Sequence, residues 1–468
     1  MTQTPFQVID DQTQKVEALI DQTFDASLAE LIELVKIEGI AWDAFDANNL
    51  ELSAQAVAKL FEASGVFDFV EIRRASVDGK AGAPAVLAKR VAKNGKPTFL
   101  LYAHHDVQPP GDASQWLTPP FEPVQKDGRL FGRGAADDKA GIVVHLAAIR
   151  ALKTLLNEDL EIGITMFIEG EEEAGSPTFR NFLEENRDDL AADVIVVADS
   201  GNLTTETPSL TTTLRGLVSV VVEVKTLDHA LHSGMYGGAV PDAMLALVKL
   251  LATLHDDLGN VAVKGLISGQ AAPIEYSDAD LRQDSGLLEG VGQIGEGSIL
   301  DRIWTKPAIT VIGIDGQSVA LSSNTLLPSA KAKISLRIAP GQDPSEALAL
   351  LQQHLEANVP FGANISFGEV ELGKPFEADL SKWASQVAGR ALAAAWKAES
   401  VNIGIGGSIP FIADLTEVFT DAQILVTGVE DPDSRAHSPN ESVHLESLKR
   451  AMVAETLLLL GGNVKRLP

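Results

Sequence analysis

Thr98-Phe-Leu-Leu-Tyr-Ala-His104-His105-Asp106 is a short apolar run that ends directly in two imidazoles and a carboxylate. Its length and its aliphatic and aromatic content read as a buried strand. If the strand continues, His104 and Asp106, two apart, share one side of it. A carboxylate beside a metal-binding histidine fixes its tautomer and raises its basicity, although a histidine at the start of a loop looks the same from sequence. The pattern recurs. In Gly132-Arg-Gly-Ala-Ala-Asp137-Asp138-Lys139 paired acids stand between a Gly-rich turn and a helix, where they either cap the helix or face a ligand. In Ile168-Glu169-Gly-Glu171-Glu172-Glu173-Ala-Gly175-Ser176 the acids follow a run that reads as buried on both faces, which puts them at a sheet edge. Val194-Ile-Val-Val-Ala-Asp199-Ser200-Gly201 ends in an acid in the same way, and Val429-Glu-Asp-Pro-Asp-Ser-Arg-Ala-His437-Ser-Pro-Asn-Glu441 adds a histidine in a loop before the last helix. Ligands of open α/β sheets bind where strands end.

The segments around these runs give the architecture. Helical periodicity opens the chain between residues 13 and 64, and strand-type runs at 98–103, 161–168 and 193–198 then alternate with helix-like 140–156 and 178–186. This predicts an α/β domain, a mixed central sheet flanked by helices. From about residue 211 the texture changes, with strands expected at 217–225, 309–314, 330–338 and 364–372 and helices at 241–254 and 344–357. The first texture returns near 378 with helix 380–396, strand 423–428 and a final helix at 443–460. The expected organisation is a first domain from 1–210 and 379–468 with an α+β domain, 211–378, inserted into it. A chain of 468 residues exceeds what one core usually organises.

Composition narrows the chemistry. There is no cysteine, so thiolate metal sites and cysteine nucleophiles are excluded and any metal is held by His nitrogen and carboxylate oxygen. A net charge of −28 argues against a nucleic-acid partner. At 45% hydrophobic and 22% charged the chain reads as an ordinary globular protein; no apolar run is expected to span a bilayer, and no membrane partner is expected. The first residues lack the basic start and apolar core of a signal peptide, so the expected location is cytoplasmic.

Taken together, Ala103-His-His-Asp-Val-Gln-Pro109, Gly132-Arg-Gly-Ala-Ala-Asp-Asp-Lys139, Glu169-Gly-Glu-Glu-Glu-Ala-Gly-Ser176, Leu231-His-Ser-Gly-Met-Tyr-Gly-Gly238, Gly406-Gly-Ser-Ile-Pro410 and Ala436-His-Ser-Pro-Asn-Glu441 resemble, in order and over nearly the whole chain, the M20 family of metallopeptidases, in its cytosolic-carnosinase-type dipeptidase branch. The resemblance implies a zinc-peptidase-like catalytic domain with an inserted lid and dimerisation domain, a small peptide as substrate and a homodimer formed through the lid. It also implies two divalent ions, zinc first, with manganese or cobalt as substitutes. One ion would be held by His104 and Asp199, the other by Glu173 and His437, with Asp137 bridging; in the family the Asp137–Asp138 bond is often cis. Glu172 would be the general base and Asp106 would orient His104. From the lid, His232 would polarise the scissile carbonyl, often across the subunit interface, and Arg337 would bind the substrate carboxylate. Alternatives are an N-acyl-amino-acid deacylase or desuccinylase with the same metal centre, and a non-catalytic metal-binding homologue.

Gly404-Ile-Gly-Gly407-Ser408-Ile-Pro410 lacks the third glycine of a nucleotide-binding loop, and no suitable strand is expected before it. It reads instead as a helix start, with Ser408 as cap, where free N–H groups of the Gly407-Ser408 turn can receive a substrate carboxylate. His145 reads as a core residue of an apolar helix, and His229, His255 and His354 carry no expected role.

Overall fold

The computed structural model describes residues 3–407 and 409–465. The chain forms two compact units, one from Met1–Thr212, Ala378–Ile403 and Asp414–Pro468, the other from Thr213–Glu377 and Gly404–Ala413. Residues 404–413, left with 379–468 by the sequence reading, therefore group with the inserted unit.

In the first unit the strands stand in the order Phe69–Arg73, Ala85–Arg90, Gly163–Glu169, Thr98–His104, Val194–Val197, Gln423–Val426 and Ser209–Leu214, the last running into the second unit. The central four are mutually parallel, so their carboxyl ends emerge along one edge. Gly163–Glu169 and Val194–Val197 are buried at every position, which is why they read as continuous apolar runs rather than alternating ones. On one face Phe99, Leu101, Ile164, Met166, Val194 and Val196 join a core with the helices Pro5–Val35, Lys139–Leu156, Trp383–Trp396 and Leu445–Val464. On the other, Phe167 stacks on Phe182 at 4.8 Å and on Phe179 at 5.6 Å, and meets the edge of Tyr102.

Lys139–Leu156 starts directly after Asp138. A Cβ on its Gly141 would lie 2.3 Å from Asp138 Oδ1 and 3.0 Å from Ala198 Cβ, so only glycine lets the helix approach the end of the 194–197 strand this closely. Contrary to the sequence reading, the span Lys139–Asp159 is long and apolar enough to cross a membrane by length and composition, with mean hydropathy 1.3. Here it is a core helix. His145 on it is buried, as expected, but as an ion pair: Nδ1 donates to Glu455 at 2.7 Å and Nε2 to the Tyr102 carbonyl at 3.0 Å, tying two helices to the strand that carries His104. The final helix begins at Leu445, after the short strand Ser442–His444, with the His444 ring as its cap.

The second unit is a four-stranded antiparallel sheet in the order Ala308–Asp315, Ser329–Ile338, Gly216–Lys225, Asn364–Gly373. Val218, Val220, Val222 and Val224 alternate inward and pack with Leu247 of helix Ala243–Ala252 and Leu351 of helix Pro344–Asn358. Helix Asp278–Ser285, whose charged sequence carries no apolar periodicity, was not foreseen.

Phe167 is 1% exposed and packed against three rings. Phe167→Ala is expected to lower unfolding stability by about 3–5 kcal/mol in urea titrations; a loss under about 1 kcal/mol would mean the ring cluster contributes little to this face.

Candidate metal centre

Three adjacent strands deliver acid and imidazole to one edge. His104 ends its strand opposite Glu169, Asp199 follows Val194–Val197 by two residues, and Gly163–Glu169 leads into the turn Glu172–Ala174. Asp137 comes in from the loop before helix Lys139–Leu156, with the Asp137–Asp138 peptide cis. His437 comes from the loop before Ser442–His444 and has a left-handed backbone, φ 59°, as do Arg435 and Asn440.

Asp137 lies between the two imidazoles. Its Oδ1 is 3.0 Å from His104 Nε2 and its Oδ2 is 2.9 Å from His437 Nε2, which is also 3.2 Å from Glu173 Oε2. His104, Asp137 and Glu173 form one group with ligand atoms within 4.8 Å of one another, and His104, Glu172 and Asp199 form another. The adjacent glutamates thus part company, Glu173 toward Asp137 and His437, Glu172 toward Asp199. His104 is buried, while the His437 side chain is 58% exposed and forms the rim.

Asp106 does more than orient an imidazole. The nearest acceptor for His104 Nδ1 is the Asp106 carbonyl at 3.1 Å, with carboxylate Oδ1 at 3.4 Å. That carboxylate accepts the backbone N–H groups of Glu172 at 3.2 Å and Glu173 at 3.0 Å, fixing the turn that points the two glutamates apart. Sequence reasoning missed other supports. Gln108 Nε2 donates to Glu173 Oε2 at 2.7 Å, and the Trp42 indole donates to the Glu173 carbonyl at 3.1 Å. Glu171 accepts from the N–H groups of Ala83 and Thr178, each at 2.8 Å, so the third glutamate of the run faces away from the centre. Glu441, fully buried, accepts from Gly134, Ala136 and Asp137 N–H and from Arg133. Of these Gln108, Glu171 and Glu441 left a trace in the sequence, as residues of quoted motifs with no role attached, and Trp42 left none.

So many acids in one buried place are costly. Burial, with neighbouring carboxylates and against the pull of His104, pushes Asp199 up to about 7 and Glu172 up to about 9. Burial would also raise Asp137, but hydrogen bonds from His104 and His437 hold it well below the usual range. His437 is raised by its bonds to Asp137 and Glu173. Protons therefore neutralise the cluster of protein groups on its own. Divalent cations would do so better, and the donors fit them. On its own the chain holds the His104 ring protonated, with Nδ1–H toward Asp106 and Nε2–H toward Asp137; once the Nε2 proton leaves, its lone pair and the Asp137 oxygen are two acceptors 3.0 Å apart that need a positive centre between them. Donor separations of 2.9–3.2 Å approach the edge of about 3.3 Å that a tetrahedral ion with ligands at about 2.0 Å imposes.

The remaining candidates lie in the second unit. His232 Nδ1 accepts the Gly234 N–H at 3.0 Å, at the start of the short helix Ser233–Tyr236. Arg337 sits on strand Ser329–Ile338, paired with Leu217 and Ala308. Its charge, after burial, is what pulls neighbouring Arg215 down to about 10. Arg215, also missed, donates through Nε to the Gly406 carbonyl at 2.9 Å beside Gly407. Ser408 lies outside the described residues. Contrary to expectation, a strand, Val401–Ile405, does precede this turn, and helix Pro410–Val418 follows it.

A family model described as Peptidase family M20/M25/M40 matches residues 100–460. Cysteinylglycine-S-conjugate dipeptidase of Corynebacterium striatum is 34% identical over 369 residues, which are 78% of this chain and 81% of that protein. Beta-Ala-His dipeptidase of Rattus norvegicus is 30% identical over 457 residues, 92% of each chain. Human carnosine dipeptidase 1 shares the fold with a TM-score of 0.74 and 24% identity, over 97% of this chain and 99% of that one.

The metal-free protein has a pH signature. Asp199 and Glu172 are raised in the fold, so between pH 5 and 7 the folded chain holds protons that the unfolded chain has released, and stability falls as pH rises. His437 and His104 act in the same sense, whereas His105, lowered to about 4 by burial, and Lys139, lowered to about 7 by burial, oppose it. The chelator-stripped protein should melt at lower temperature at pH 7 than at pH 5, and excess zinc should raise the melting point most at pH 7, where ligands are easiest to deprotonate. A metal-free melting point that climbs over this range would contradict the charge reading.

Proposed function

The chain belongs to peptidase family M20/M25/M40, and on that premise we propose that this metal-dependent hydrolase cleaves the peptide bond of dipeptides at its strand-end cluster. The observation that carries the reading is one carboxylate, Asp137, whose two oxygens face two imidazoles. In this reading His104 and Asp199 hold one divalent ion, Glu173 and His437 a second, and Asp137 both. When bound, such ions acidify a water and polarise a carbonyl. Zinc is the proposed metal, with manganese or cobalt as substitutes, since every donor is nitrogen or oxygen.

Glu172 is the proposed base. It takes a proton from the water as the water oxygen bonds to the carbonyl carbon, and gives that proton to the amine nitrogen as the C–N bond breaks. Asp106 sets both the His104 tautomer and the direction of Glu172. His232 suits a carbonyl-polarising role, because its Nδ1 is occupied as an acceptor and the neutral ring then carries its proton at Nε2. Arg337 would take the substrate carboxylate in bidentate fashion, with the Gly407-Ser408 amides as further donors. The same proposal includes a cytoplasmic enzyme, and a homodimer through the inserted unit, the latter taken from the family resemblance. The named dipeptidase relatives favour a dipeptide over an N-acyl amino acid, and retention of Glu172 beside all five ligand positions speaks against a non-catalytic homologue.

Glu172→Gln should lower turnover of a dipeptide by about 10²–10⁴-fold while metal content measured by atomic spectrometry stays near wild type. Glu173→Ala should lose metal as well. Equal metal loss in both would remove the distinction between base and ligand. If His232 serves the partner's site, a dimer mixed from His232→Ala and Glu172→Gln subunits should regain part of the activity that each variant lacks alone; a mixture as inactive as its parents counts against an exchanged histidine.

A further inference from the structure

Glu441 holds an unusual position. Its side chain is fully buried, four residues after His437, yet all its donors come from a segment some three hundred residues earlier. Oε1 accepts the N–H groups of Ala136 at 3.0 Å and Asp137 at 3.1 Å, and Oε2 accepts the Gly134 N–H at 3.0 Å and the Arg133 guanidinium. The Glu441 carbonyl accepts the Gly132 N–H at 3.0 Å, so main chain and side chain grip the same loop. Arg133 is sandwiched in turn, its guanidinium 5.4 Å from the Trp116 ring centroid. Next along, Ser442–His444 pairs with Arg129–Phe131, and Arg129 bonds the Ser442 carbonyl at 3.1 Å and Asp431 at 2.9 Å.

We propose that Glu441 is a positioning residue that presets the metal centre: it clamps the 133–137 loop to the 437–441 loop, so that Asp137 and His437 already face each other before any ion binds. The inference rests on the reading of Asp137 and His437 as ligands. Its physical content is entropic. Two loops far apart in sequence would otherwise have to be ordered at the expense of ion-binding energy, and an outer carboxylate that orders them in advance tightens binding without touching the ion. The donors suit this role, because three converging backbone N–H groups and a guanidinium need an acceptor-only partner with two oxygens. Glutamine keeps the shape but replaces one oxygen with a donor aimed at those same N–H groups.

The test uses the full chain, stripped of metal, in wild-type, Glu441→Gln and Asp137→Asn forms, titrated with Zn²⁺ by calorimetry with metal-free melting read alongside. The expected result is a folded Glu441→Gln protein whose zinc affinity is about 10–100-fold weaker, and an Asp137→Asn protein weaker still. Wild-type affinity in Glu441→Gln beside a loss in Asp137→Asn overturns the clamp; wild-type affinity in Asp137→Asn overturns the ligand reading instead. Should Glu441→Gln not fold, hydrogen exchange on metal-free wild type decides. The amides of Gly134, Ala136 and Asp137 should exchange slowly without metal, and exchange at the rate of unstructured chain overturns the proposal.

Discussion

Like charges confined to a small buried volume are the constraint around which this catalytic unit is built. Four carboxylates and two imidazoles meet at the end of three parallel strands, out of reach of bulk water on the His104 side. Each acid alone would be expensive to ionise there. The parallel sheet makes the gathering unavoidable, because neighbouring strands all release their chains along the same edge. The structure answers by giving several of the acids donors of their own, backbone N–H groups for Asp106 and Glu441, an amide side chain for Glu173 and an imidazole on either side for Asp137, while burial raises Glu172 and Asp199 toward their protonated forms.

The parts legible in the sequence were those written in local order. Buried strands of Val, Ile and Phe announce themselves as unbroken apolar runs, and acids directly after them can only lie at a sheet edge. His104, Glu172, Glu173 and Asp199 were singled out as strand-end residues, Asp137 and His437 through the family pattern, and the six side chains lie close together. The run at 217–225 likewise announced a strand of the second sheet, and its valines at 218, 220, 222 and 224 turn inward there.

What stayed hidden depends on distance along the chain. Nothing in Glu441 announces that its donors stand at 133–137, nor in Trp42 or Gln108 that they end against Glu173. Asp106 was read through its neighbour His104, whereas its carboxylate spends both oxygens on amides sixty-odd residues away. The strand at 401–405 was missed because it is short and carries glycine and asparagine, residues that weaken a strand signal. His145 read as core from its apolar context, and its contact with Glu455, which raises its pKa, was hidden because that partner belongs to the last helix.

The left-handed backbone at Arg435, His437 and Asn440 sets the terms on which this protein can be made hardier. Non-glycine residues in that conformation each cost about 1–3 kcal/mol, and a designer seeking thermostability would turn to glycine at such positions. At exposed turns such as Asp78 and Asp127 that exchange is open. At His437 it would delete a ligand candidate, and at Asn440 it would remove the side chain that bonds Gln115 and Leu117. The loop thus marks a floor beneath which rigidity cannot be improved without dismantling the chemistry, and robustness has to be engineered elsewhere in the chain.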